Sequence, residues 1–152
     1  MIKILFVCHG NICRSPMAEF VMKDLVEKAG LTGQVSVASA ATSTEEIGNG
    51  IHSGTMRQLR KVGIHNASHR AVQMKRADYD AYDYIVGMDQ WNLRNMNRIC
   101  GADPSGKIHL LLDFAGGGDI ADPWYTGDFD VTYRDVLAGC EGLLAEIKKQ
   151  MR

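Results

Sequence analysis

Apolar residues along this chain fall into runs of two kinds, and the two kinds alternate. Short, nearly unbroken apolar runs at 2–7, 84–88 and 107–111 predict strands buried on both faces, as in a parallel sheet. The mixed stretch 34–39, Gln34-Val35-Ser36-Val37-Ala38-Ser39, predicts a fourth strand. Between them, apolar positions recur every three or four residues, which predicts helices. Residues 16–29 place Met17, Phe20, Val21 and Leu25 near one face, with Gly30 as a stop. Residues 53–62 do the same with Met56, Leu59 and Val62, closed by Gly63. Residues 75–80 predict one or two helical turns, and 90–99 another helix. Residues 130–151 predict a last helix with an inner stripe from Tyr133 to Ile147. The stretch 40–51 reads as a polar loop, Asp103-Pro104-Ser105-Gly106 as a turn, and 113–129 as a long glycine-rich loop.

Strands alternating with helices predict an α/β fold: a three-layer α/β/α sandwich around a four-stranded parallel sheet. No repeat or linker divides the chain, so one domain over 1–152 is expected. Ligands of such sheets bind beyond the carboxyl ends of the strands. The turn after the first strand, Ser39, Asp89 and the 113–129 loop should therefore converge.

Composition narrows the partners. The chain is 45% hydrophobic and 23% charged, with 17 basic and 18 acidic residues and a net charge of −1. No basic block marks a nucleic-acid surface. No apolar run approaches the roughly 20 residues of a membrane span. Met1-Ile2-Lys3-Ile4 enters a strand without a signal pattern, so a cytoplasmic location is expected, with export by another route left open. The cysteines at 8, 13, 100 and 140 do not form the pair of pairs typical of a metal site, so neither metal nor cofactor is expected. The sequence leaves the oligomeric state open, with a monomer as the default.

The chemistry concentrates in Cys8-His9-Gly10-Asn11-Ile12-Cys13-Arg14-Ser15, between a strand and a helix. Such a turn can wrap backbone N–H groups around one anion at the new helix's N-terminus. A free cysteine titrates near ~8.5. Inward amides, the helix end and Arg14 would each favour its thiolate. Ser15 can donate to that sulfur and cap the helix, and Pro16 suits the first helical turn. Gly10 is free to take positive φ, and Asn11 tolerates it. The planar fork of Arg14 matches two phosphate oxygens. A thiolate beneath a cradled phosphate is a phosphoryl-transfer site. The leaving oxygen then needs a proton from the other side, and Asp122-Pro123, on the long loop, supplies a stiffened carboxyl. Asp119 competes but lacks a proline or aromatic partner. Trp124 and Tyr125 would wall a pocket deep enough for an aryl phosphate.

Cys8-x4-Cys13-Arg14-Ser15-Pro16 together with Asp122-Pro123-Trp124-Tyr125 resembles the low-molecular-weight protein tyrosine phosphatases, in motif order and in length from Lys3 to near the C-terminus. The resemblance implies hydrolysis of phosphotyrosine in protein substrates through a cysteinyl-phosphate, without metal. Cys8 would be the nucleophile, Arg14 the phosphate clamp and Asp122 the general acid and base. His9, Gly10, Asn11, Ile12, Cys13 and Ser15 would line the phosphate, with His9 tuning the rim. Asn11, Ser39 and His69 resemble a network that holds the loop. Cys13 resembles a second cysteine that bonds the oxidised nucleophile and protects it. In the family, the tyrosines after Asp-Pro can be phosphorylated by a partner tyrosine kinase; here only Tyr125 remains of that pair.

Three places depart from the family pattern, the first being Ser39-Ala40-Ala41-Thr42 where Ser-Ala-Gly-Thr is usual. Glu45-Glu46 stands where an aromatic wall is expected, and Val72 replaces a common arginine, which removes an ion pair. An acidic wall points to substrates with basic residues beside the phosphotyrosine. Three other readings compete. A same-fold arsenate reductase needs further cysteines that 74–92 lacks. A phosphoarginine phosphatase carries a small polar residue where this chain has Ile12. A non-enzymatic phosphotyrosine-binding module needs neither nucleophile nor acid.

Overall fold

A computed structural model describes residues 1–151. Four strands form one parallel sheet in the order β2-β1-β3-β4: β1 (Ile2–Cys8), β2 (Val35–Ala41), β3 (Tyr84–Gly87) and β4 (Ile108–Leu110). Helices α1 (Arg14–Lys28), α2 (Ser53–Lys61), α3 (Asp78–Ala81), α4 (Gln90–Cys100), α5 (Pro123–Thr126) and α6 (Phe129–Gln150) connect and cover them. This is the expected three-layer α/β/α sandwich.

β1 shows why the layers form. Its side chains alternate between the faces, and both faces are apolar. Ile4, Phe6 and Cys8 join the core beneath α1 and α6, with Met17, Val21, Val136 and Leu143. Leu5 and Val7 join the opposite core, with Tyr79, Met96 and Cys100. Gly87 lets α4 lie close to β3, since a Cβ there would press on Met96 and Asn92.

Several expected boundaries move, each for a physical reason. β2 continues through Ala40 and Ala41, because β1 offers partners as far as Cys8↔Ala41. Ala41 also pairs with Gln73, extending this edge. The short helix predicted at 75–80 lies at Asp78–Ala81. The glycine-rich stretch is not one loop: a 3-10 turn (Leu111–Ala115) opens it, and α5 interrupts it. α5 forms because Asp122 accepts the N–H of Trp124, Pro123 occupies the first helical position, and Gly127 closes the turn at φ 72°. No described helix is long and apolar enough to cross a membrane.

Candidate functional site

Cys8 ends β1 and α1 begins at Arg14, so five residues make the turn between them. One of them is strained: Asn11 has φ 59°, the left-handed region. Gly10, expected to be free for that conformation, does not use it; the turn is made at Asn11 instead.

A full set of hydrogen bonds holds Asn11 there. Its side-chain amide has two donors and two acceptor sites. Nδ2 donates to Ser15 Oγ (2.8 Å) and Ser39 Oγ (3.0 Å). Oδ1 accepts from His69 Nε2 (2.6 Å) and from the Val72 N–H (3.1 Å). Asn11 is 1% exposed, so none of these bonds competes with bulk water. Behind it the network continues. Ser39 donates to Glu19 Oε1 (2.6 Å), Lys23 donates to Glu19 Oε2, and His69 Nδ1 lies 3.7 Å from Glu19. Asn11, Ser39 and His69 thus come together as expected. Glu19, a buried acid on the inner side of α1, was not foreseen as part of the group.

The sulfur of Cys8 sits inside this frame, with two groups positioned to hydrogen-bond to it. The Asn11 N–H donates at 3.3 Å, and Ser15 Oγ lies at 3.0 Å. Ser15 Oγ accepts from Asn11, and its own proton faces the sulfur, with the Ala40 carbonyl a more distant acceptor at 3.5 Å. The expected helix cap at Ser15 is not made. Cys13 occupies the N-cap position, no side chain caps α1, and Ser15 lies one residue inside it with its hydroxyl committed to the loop. Thr55 instead bonds the carbonyl of Cys13 (3.2 Å), tying α2 to the turn. Burial, followed by the neighbouring Cys8 and Asp122, pushes the Cys13 thiol up to about 12. Cys13 therefore stays protonated at neutral pH.

Arg14 is buried beneath the turn. Nη1 donates to Asp89 Oδ2 (2.6 Å) and to the Ile120 carbonyl (2.9 Å), and Nη2 faces Asp122 Oδ2 at 3.4 Å. Burial works against its charge, but Cys8, Asp89 and Asp122 outweigh it and hold the guanidinium more firmly protonated than usual. Asp89 serves two partners: Oδ1 caps α4 through the Asn92 N–H (2.8 Å), and Oδ2 anchors Arg14. Asp89-x-x-Asn92 is legible as a capping box, but the ion pair across 75 positions is not.

Asp122 arrives from the far loop. That loop is pinned at Ile120, whose N–H donates to the Met88 carbonyl (2.8 Å). Beyond it, Trp124 and Tyr125 are 58% and 84% exposed. His52 contacts this outer part. Its ring meets Trp124 edge-on (5.7 Å) and stacks on Phe129 (5.3 Å). Nδ1 accepts from the Gly54 N–H (3.0 Å), and the His52 N–H donates to the Ile12 carbonyl of the turn (2.9 Å). Gly54 is required, because any Cβ there would enter the Phe129 ring. Nothing in the sequence singled out His52.

These groups surround one cavity of about 130 Å³. Cys8, His9, Gly10, Ile12, Cys13 and Arg14 line its floor, and Glu45, Glu46, Asp122, Trp124 and Tyr125 its walls. Asn11 and Ser15 support the floor from behind. Asp119, the competing acid, is exposed and not part of the lining. Among the described residues, no cluster of three or more His, Cys, Asp or Glu is arranged to hold a metal ion. The arrangement pairs a buried thiol with the N-terminus of α1 and a guanidinium, opposite a carboxyl at the cavity mouth. It suits transfer of a phosphoryl group from an oxygen to sulfur.

Comparison with known proteins gives a consistent picture. Residues 3–152 match the family model for low molecular weight phosphotyrosine protein phosphatase. The chain is 42% identical over 153 residues to the low molecular weight protein-tyrosine-phosphatase YfkJ of Bacillus subtilis, covering 99% of this chain and 98% of that protein. It is 40% identical over 147 residues to the low molecular weight phosphotyrosine protein phosphatase of Rattus norvegicus, covering 93% and 92%. The crystal structure of YfkJ superposes with a TM-score of 0.96 at 41% identity, covering 100% of this chain and 98% of that one.

Proposed function

The chain belongs to the low molecular weight phosphotyrosine protein phosphatase family and is a protein-tyrosine phosphatase, a phosphoric-monoester hydrolase; from that premise we propose how its residues divide the work. The observation that carries the assignment is the Cys8 sulfur on the cavity floor, hydrogen-bonded by Asn11 and Ser15, with Asp122 at the mouth. One domain spanning 1–152 supplies every group.

The phosphate of a phosphotyrosine enters over Cys8 and meets the turn's amides. α1 starts at Arg14, so its first N–H groups have no carbonyl one turn back and are free for an anion. Nη1 of Arg14 is held by Asp89 and Ile120, which fixes the fork; Nε and Nη2, the latter 3.4 Å from Asp122, remain to meet the phosphate oxygens. The Cys8 thiolate attacks phosphorus, an S–P bond forms, and the P–O bond to the phenol breaks. Asp122 gives its proton to the departing oxygen. In the second half, Asp122 takes a proton from water as that water attacks phosphorus. The S–P bond then breaks and inorganic phosphate leaves. Trp124 and Tyr125 flank the phenyl ring, and Ile12 gives the floor an apolar contact for it. The intact nucleophile and acid favour this reading over a binding module. The absence of cysteine from 74–92 favours it over arsenate reduction.

Turnover of p-nitrophenyl phosphate in the presence of a chelator tests the assignment. Cys8→Ser should abolish it. Asp122→Ala should slow turnover roughly 100-fold or more, most for substrates with poor leaving groups. Iodoacetate near pH 6 should alkylate Cys8, leave Cys13 untouched, and be blocked by phosphate. Residual turnover in Cys8→Ser would overturn the scheme.

Cys13 shares the cavity with Cys8, and both thiols are free. We assign it to redox protection: after peroxide converts Cys8 to its sulfenic acid, Cys13 closes a disulfide and water leaves. Peroxide-inactivated wild type should recover with a thiol reductant, and Cys13→Ser should recover less. Equal recovery would remove this role.

A further inference from the structure

The cavity that must accept a phosphate dianion is walled by carboxylates. Glu45, Glu46 and Asp122 line it against a single buried cation, Arg14, which already faces Asp89 and Asp122. Asp122 has a chemical task and Asp89 an anchoring one. Glu45 and Glu46 have neither.

Both are held in place at the rim. Glu45 Oε2 lies 2.9 Å from His9 Nε2, with the two side chains 68% and 52% exposed. Glu46 accepts a hydrogen bond from Asn49 Nδ2, and its Cγ packs 3.4 Å from where a Cβ on Gly10 would stand. It therefore lies over the phosphate turn itself. Among the described residues, neither carboxylate has a lysine or arginine within ion-pair reach. Two carboxylates beside the entry path repel a lone phosphate monoester. They become favourable only when the substrate brings a positive charge to the same rim.

We propose that Glu45 and Glu46 form a cation subsite that selects phosphotyrosine flanked by lysine or arginine. The proposal rests on the phosphatase reading of the same cavity and adds the sequence context of its substrate. The protein's net charge is only −1, so selectivity of this kind would come from the rim and not from an overall acidic field.

The test compares two phosphotyrosine peptides that differ only in having lysines or alanines beside the phosphotyrosine, with p-nitrophenyl phosphate as a substrate carrying no cation. Wild type should favour the lysine peptide about fivefold in kcat/KM at low salt. That preference should fade near 1 M salt, where the screening length is about 3 Å. In the double variant Glu45→Gln, Glu46→Gln the two peptides should converge to within about twofold. The same variant should turn over p-nitrophenyl phosphate faster than wild type, because the repulsion is gone. This opposite response of the two substrates separates a cation subsite from general damage to the loop. Equal kcat/KM for both peptides in wild type, or a preference that survives in the double variant, would overturn the subsite. Failure to hydrolyse any of the three substrates would overturn the phosphatase reading itself.

Discussion

The phosphate-binding turn and the acid-bearing loop face each other across one cavity, and they are built on opposite plans. In the turn, Cys8, Asn11, Cys13, Arg14 and Ser15 are each at most 5% exposed, and their polar atoms are bonded to one another or to buried neighbours. Among the described residues, no buried side-chain nitrogen or oxygen lacks a partner. In the acid loop, Gly116, Gly117 and Gly118 all sit at positive φ, and the chain is pinned at Ile120. Past Pro123 it presents exposed aromatic rings. The difference matches the tasks proposed for them. A nucleophile and an anion cradle gain from dipoles fixed before the substrate arrives. A proton donor at the mouth must admit a phenyl ring, then water, and let phosphate out.

The contrast can be broken most severely at Asn11. Asn11→Ala removes four hydrogen bonds at once, to Ser15, Ser39, His69 and the Val72 N–H, and leaves the last two without that acceptor. A loss of about 3 kcal/mol in unfolding free energy is expected. Turnover should also slow by about tenfold or more, since the left-handed turn is no longer held. Urea denaturation and steady-state kinetics would check both. Wild-type stability in the variant would mean that the network is ornamental. A smaller effect is expected at His52, which sharpens the contrast from the other side. His52→Ala removes the edge-on contact with Trp124 and the stack on Phe129. Aromatic contacts of this kind contribute about 0.5–1.5 kcal/mol each. Hydrolysis of phenyl phosphate, whose leaving group needs a proton, should slow about fivefold. p-Nitrophenyl phosphate should slow less. Equal slowing of the two would show that His52 does not act through the acid loop.

Local signals explain what was legible in the sequence. A doubly buried strand is a continuous apolar run, so β1 and the turn after it stood out, as did Asp122-Pro123, which forms its own single-turn helix. Groupings that depend on which strands are neighbours did not stand out. Asp89 reaches Arg14 because β3 lies beside β1 in the sheet, and no local pattern encodes that order. Glu19 is polar on a helix that reads as amphipathic, so it passes for a solvent-facing residue until Ser39 and Lys23 are seen to satisfy it. The role of Ser15 was half legible: its bond to the sulfur was expected, but a cap was also assigned to a hydroxyl whose bonding is already complete. Ala40 and Ala41 carry little β-propensity and give no local strand signal. Pairing with β1 keeps them in the sheet regardless.

The Cys8 sulfur belongs to the last residue of an inner strand, paired with β2 through Cys8↔Ala41 and flanked on its other side by β3. A shift of that strand by one residue would turn the thiol toward the opposite layer. The position of this thiol is thus inseparable from sheet registry. Turnover in this protein accordingly reports on whether β1 sits in its native pairing.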